Sequence, residues 1–375
     1  MIEADQVVKQ LLEYLEPRID LGHVGQIAAR HRAALDYAEL DRPPLVCYLP
    51  YEGEEFTPYP YSEAFDDPAK LMVNELLTGF TSIYHAVDLK DDAPYCLRPN
   101  LGVTIIASML GAQIRVLDEQ APWVIPFEDT DAIKALVDAP VPDMSSGLAP
   151  RVLEQYAYFR AALADYPACR EAFQLTLPDL QGPFDIAELV WGSDIFIAFY
   201  DTPDLLSACL SKITEAIIAA QRRFSLEVKD NIGPDYQYQH AVGVKGQILL
   251  RGDTAVMLSP EHYRAFVQPH DARVAQELGS VAVHFCGNGQ HQIDSMLSIP
   301  GFTCFDFGQP WMMDVDTIYA KAAAKRVPLA RLTVPVKELT AQRALRRFPT
   351  GAILTCEPTS VREARRIWEQ YLDES

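Results

Sequence analysis

Residues 247–372 alternate short apolar runs with amphipathic stretches, and this rhythm restricts the fold more than any other feature of the chain. Strand-like runs fall at QILLR (247–251), VAVHF (281–285), FTCFDF (302–307), VPLARL (327–332) and AILTC (352–356). Helical segments separate them, and SVREARRIWEQYL closes the series. Ser259 followed by Pro260 is a helix-start signal, a hydroxyl cap with proline in the first turn. Strand, loop, helix and strand again, every 20–35 residues or so, is the spacing of βα units around a parallel sheet. Upstream, PPLVCYLP (43–50) reads as a first strand, and GAQIRVL (111–117) and FQLTLPDLQGPF (173–184) as further ones, about eight in all. The expected architecture is a single α/β domain over residues 1–375, a (β/α)8 TIM barrel with residues 1–40 as an N-terminal helical extension. A doubly wound open sheet is the alternative.

Composition narrows the partners. With 52 acidic against 32 basic residues and a net charge of −20, the chain is expected to bind neither nucleic acid nor an anionic membrane surface. It contains no apolar run of about 18 residues. The opening MIEADQVVKQLLEYLEPRID reads as an acid-containing amphipathic helix rather than a secretory signal. Seven scattered cysteines fit reduced thiols, so a cytoplasmic protein is expected.

The chemistry-bearing residues cluster at strand ends. His284 and Cys286 stand two apart in an extended run and so share one face. That pairing suits zinc, a Cys/His catalytic pair, or a structural thiol beside a hydrogen-bonded imidazole. In a (β/α) barrel the C-terminal strand ends form the mouth. Read in order, those ends carry Arg251 and Asp253, His284 and Cys286, Cys304, Asp306 and Gln309, then Cys356 and Glu357. Asp253, Asn288, His291 and Tyr51 are the candidate substrate-pocket residues, although His291 reads more readily as capping or decorating the following helix. GNGQHQ fails as a dinucleotide fingerprint because Gln292 occupies the third glycine position.

Three segments in order, GPFDIAELVWG, LSPEHYRAFVQPH and VAVHFCGNGQHQID, resemble the uroporphyrinogen decarboxylase superfamily over roughly residues 170–370. The resemblance implies a (β/α)8 barrel. Its decarboxylase branch uses basic residues after the first strand to hold a polycarboxylate. Here residues 50–67 carry six acids, five aromatics and no base, which opposes such a substrate. The cobamide-dependent methyltransferase branch is the closer likeness. It implies a zinc site of the H-x-C…C type, matched by His284, Cys286 and Cys356, with Asp306 or Gln309 as a fourth ligand and Cys304 as a competing thiol. The implied function is zinc-dependent transfer of a methyl group between a small thiol, methoxylated or methylamine-like substrate and a corrinoid carried by a separate protein. The alternatives are a metal-free lyase, which an arginine cluster around Arg98 and Arg251 would favour, and a non-catalytic barrel binding a small molecule or tetrapyrrole.

Overall fold

The computed structural model describes residues 3–228, 235–336 and 339–373. Two α-helices, Ala4–Leu15 and Leu21–Leu35, precede the first strand. Twelve strands follow among the described residues. They are β1 (Leu45–Cys47), β2 (Cys96–Leu97), β3 (Gln113–Arg115), β4 (Trp123–Ile125), β5 (Gln174–Leu175), β6 (Tyr236–Gln239), β7 (Val242–Lys245), β8 (Leu249–Arg251), β9 (Val281–Phe285), β10 (Phe302–Phe307), β11 (Leu329–Thr333) and β12 (Ala352–Cys356).

Six of them form one sheet in the order β1-β12-β11-β10-β9-β8, and every pairing in it is parallel. A helix lies in each crossover, as parallel neighbours require. Side-chain caps start several of these helices: Ser259, Asp314, Thr340 and Ser360 each accept a backbone N–H from the first turn. β2 and β5 form a separate short parallel pair, and Gln181 makes an isolated parallel bridge to Arg251 of β8. The segment 111–117 does contain a strand, but β3 pairs antiparallel with β4 in a hairpin outside the main sheet. No helix among the described residues is long and apolar enough to cross a membrane.

Alternation along the strands divides the side chains between two faces. Val281, Val283 and Phe285, with Phe305 and Phe307, join the large apolar cluster beneath the helices. The opposite, inner face carries Val46, Leu249, Ala282, Cys304, Ala330 and Ile353, packed against Val242 and Val244. Those two valines belong to β7, so the β6–β7 hairpin fills the inner face. Two of the resembling segments brace the end of β8. The Gly182 N–H donates to the Arg251 carbonyl at 2.7 Å, and a Cβ at Gly182 would sit 2.7 Å from that oxygen, so only glycine permits the approach. Asp185 accepts the Thr254 N–H at 2.8 Å, and the Tyr263 hydroxyl donates to Asp271 at 2.8 Å.

His31, buried on the second helix, ties that helix to the hairpin. One ring nitrogen lies 2.9 Å from the Asp92 carbonyl and the other accepts the Gly243 N–H at 2.9 Å. Only the neutral ring can do both. Burial, against the pull of Asp92, lowers its pKa from 6.5 to about 4. A base held below its unfolded value loses stability as the unfolded chain takes up a proton first. Unfolding free energy is therefore expected to drop by about 2–3 kcal/mol from this group alone as pH falls from 6.5 towards 4. Urea titrations at pH 7 and 4.5 on wild type and His31→Gln check this. Equal acid sensitivity in both proteins would refute it.

Candidate metal centre

His284 is held by the carboxylate beside it in the sheet. Asp306 is its register partner on β10, and Asp306 Oδ1 lies 2.6 Å from His284 Nδ1. The other oxygen, Oδ2, lies 2.8 Å from Nδ1 of His240. His240 in turn presents Nε2 to Arg251 at 2.8 Å, and Arg251 and Arg98 both pair with Asp179 at 2.5 and 2.7 Å. A buried polar chain thus runs Arg98–Asp179–Arg251–His240–Asp306–His284.

Its charges are set by competition between burial and partners. Burial alone would raise Asp179, but the two guanidiniums hold it at about 2. Burial, reinforced by Arg251, lowers His240 to about 3 despite Asp306, so its ring is neutral and donates Nδ1–H to the carboxylate. Burial also works against charge on His284, yet Asp306 overrides it and raises that imidazole to about 9. Asp306 itself, although buried, is kept well below the ordinary carboxylate range by the two rings.

With Nδ1 committed to Asp306, His284 turns Nε2 towards Cys286, whose Sγ is 3.6 Å away. Asp253 completes the group. Its Oδ1 accepts the Cys286 N–H at 2.5 Å and lies 3.8 Å from His284 Nε2. The three ligand atoms lie within 4.8 Å of one another. Zinc–sulfur and zinc–nitrogen bonds at a tetrahedral angle would put the two atoms about 3.5 Å apart, so this nitrogen, sulfur and oxygen set fits zinc. The carboxylate on the far ring nitrogen is the usual support for a metal-binding histidine. Gly308 leaves room for the thiol, since a Cβ there would sit 2.5 Å from Cys286 Sγ.

Cys356 does not belong to this group. Leu354 and Cys356 pack in the cluster under the helices, whereas Ile353 lies on the inner face. Alternation therefore sends the Cys356 thiol to the opposite side of the sheet, where Sγ lies 3.5 Å from Cys47 Sγ on β1. Asp306 has both oxygens bound to imidazoles, and Gln309 Oε1 accepts the Gly287 N–H at 2.7 Å, so neither is presented as a fourth ligand. Cys304 shares the inner face with Asp306 but is buried with Sγ against the Phe305 carbonyl. Of the pocket residues, Asp253 reaches the pair and the other three are engaged elsewhere. Asn288 caps the turn at Gln290, His291 contacts the Leu258 carbonyl at 3.0 Å, and Tyr51 bonds Phe56 within its own loop while packing on Tyr84 and His85.

Compared with protein-family models and with curated proteins, the sequence matches none. The resemblance stated above therefore rests on its three motifs alone.

Sequence reasoning missed His240. It occupies the two-residue tip of the β6–β7 hairpin with Ala241, at φ of 49° and 53°. Such turns favour Asn-Gly, and the absence of that signal hides the hairpin. Left-handed backbone at a non-glycine residue is strained and persists where surrounding contacts enforce it. Here those contacts are Asp306 and Arg251 on the ring, and the Tyr48 hydroxyl on the His240 carbonyl at 2.8 Å.

Proposed function

We propose that this protein is a zinc-dependent methyltransferase in which His284, Cys286 and Asp253 hold the metal. The observation that carries the reading is the convergence of three ligand atoms within 4.8 Å at the C-terminal ends of adjacent parallel strands, with Asp306 buttressing the histidine. In this reading β2 and β5 complete the sheet of six as an eight-stranded barrel. The Gln181–Arg251 bridge links that pair to β8, and the bond from the Asp92 N–H to the Leu45 carbonyl ties the segment leading to β2 to β1.

Asp306 fixes the His284 tautomer, so that Nε2 faces the ligand position. Asp253 holds the backbone of Cys286 and lines the solvent side, its side chain 41% accessible. Bound zinc would supply a substrate thiolate at neutral pH. The methyl group would pass between that small-molecule substrate and a corrinoid on a separate protein, as the motif resemblance implies. Arg98 and Arg251, which a metal-free lyase would need for a polycarboxylate, are both engaged by Asp179.

Protein purified without a metal-binding tag should carry stoichiometric zinc and, with a thiol present, demethylate methylcobalamin, followed by absorbance. Zinc without demethylation of methylcobalamin or of a methylated corrinoid protein would overturn the methyl-transfer assignment. Absence of zinc after reconstitution under reducing conditions would overturn the metal assignment.

A further inference from the structure

On the helix-covered side of β8, opposite the face that carries His284, a cavity with about 240 Å³ of empty space lies between the strand end and its helices. Two acids line it. Asp185 stands in the first turn of the helix Pro183–Trp191 and Asp271 on the helix Gln268–Leu278, and they are 4% and 6% exposed. Asp185 Oδ1 accepts the Thr254 N–H at 2.8 Å, but Oδ2 is buried with no hydrogen-bond partner. The one partner of Asp271 among the described residues is the Tyr263 hydroxyl, which donates to Oδ2 at 2.8 Å.

Neither carboxylate has a counter-ion among the described residues. The cation along the cavity wall is Arg251, and alternation turns its guanidinium to the inner face, where it meets Asp179 and His240. The charged groups that act most on Asp185 are Asp253, Asp271 and Glu188, all of them acids. A π-helical turn, Tyr263–Val267, shapes the opposite wall and sets Tyr263, Val267 and Asp271, spaced four apart, on the cavity. Such turns widen a helix locally and recur at functional sites. Phe184, Leu250 and Val283 make the rest of the surround apolar. Two carboxylates buried there are costly unless a positive charge joins them.

We infer that this cavity binds a hard divalent cation of the size of calcium between Asp185 and Asp271. Carboxylate, hydroxyl and carbonyl oxygens are the donors such an ion takes, and the two acids balance its charge. The cavity has room for roughly one water molecule, so the ion enters largely stripped of its hydration shell. That favours calcium over magnesium, which gives up its waters reluctantly. With two acidic side chains the affinity should be modest, about 0.1–1 mM. The bound ion would hold the helices Pro183–Trp191 and Gln268–Leu278 against the end of β8. Neither carboxylate belongs to the group of His284, Cys286 and Asp253, so the inference does not rest on the zinc reading.

Calorimetric titration of calcium and magnesium into zinc-supplied protein, freed of calcium with a chelator, tests this. One calcium per chain should bind at about 0.1–1 mM, and magnesium at least about tenfold more weakly. Asp185→Asn and Asp271→Asn should each weaken calcium binding by about tenfold or more. Both variants keep an oxygen for Thr254 or Tyr263 and shed an uncompensated charge, so without calcium they should melt no lower than wild type. Calcium should raise the melting temperature of wild type but not of either variant. Cys286→Ser should bind calcium within about threefold of wild type, because the cavity lies on the other side of the sheet. No saturable calcium binding below about 10 mM would overturn the inference and leave the two acids neutralised by protons. Wild-type calcium affinity in a folded Asp185→Asn protein would overturn it too. So would loss of calcium binding in Cys286→Ser, which would place the ion at the candidate centre instead.

Discussion

Cys286→Ser is expected to lower zinc affinity by more than about 100-fold, beyond what loss of a supporting contact costs, while Cys356→Ser leaves it within about threefold. The contrast follows from the two faces of the sheet. Cys286 lies 3.6 Å from His284 Nε2, whereas Cys356 lies against Cys47 on the other side. Asp253→Ala should behave like Cys286→Ser, because its carboxylate is the third atom of the cluster. Asp306→Asn should fall in the intermediate range of about 10–100-fold, since it removes the charge that orients His284 without removing a ligand. Competition against a chromophoric zinc chelator gives all four numbers. A large loss in Cys356→Ser with little change in Asp253→Ala would restore the thiol as third ligand and displace the carboxylate.

Asp92→Ala is expected to destabilise the fold by about 3–5 kcal/mol, measured by urea unfolding at pH 7. The Asp92 side chain is 0% accessible and serves four donors. Arg30 reaches it at 3.0 Å from the second helix, Arg42 does so through both terminal nitrogens, and the Leu45 N–H donates at 2.9 Å from β1. Arg42 also stacks on Trp368 and Tyr371 of the last helix, so one carboxylate joins the N-terminal helices, the first strand and the C-terminal helix. Truncation leaves two guanidiniums poorly solvated and a strand amide unpaired, and each is costly. A loss below about 1 kcal/mol would mean that water replaces the carboxylate freely and that the ion pairs contribute little.

The parallel arrangement of β8 to β12 was legible because both signals that encode it are local. Each strand is a short apolar run, and most of the α-helix starts carry a cap or a proline. The same reasoning put His284 and Cys286 side by side, since their two-residue spacing survives in a regular strand. It succeeded less well at 111–117, where the apolar alternation of a hairpin strand looks no different from that of a sheet strand. It also recovered Cys304 and Asp306 on a common face but could not say which neighbour would claim the carboxylate.

What the sequence by itself determined about this protein is the succession of βα units, the pairing of an imidazole with a thiol at one strand end, and an acidic balance of charge. These are properties of spacing and composition, which act over a few residues or over the whole chain. Tertiary structure decided the rest. Cys47 and Cys356 are 309 positions apart, and only the β1–β12 register turns the expected ligand towards another thiol. Asp253 joins His284 across a strand boundary, and His240 arrives from a hairpin tip held by contacts far away in the chain. Arg331 comes to pair with Asp306 through a one-residue register shift between β10 and β11 that no propensity announces. Face and partner depend on register, and register is set when the whole sheet packs.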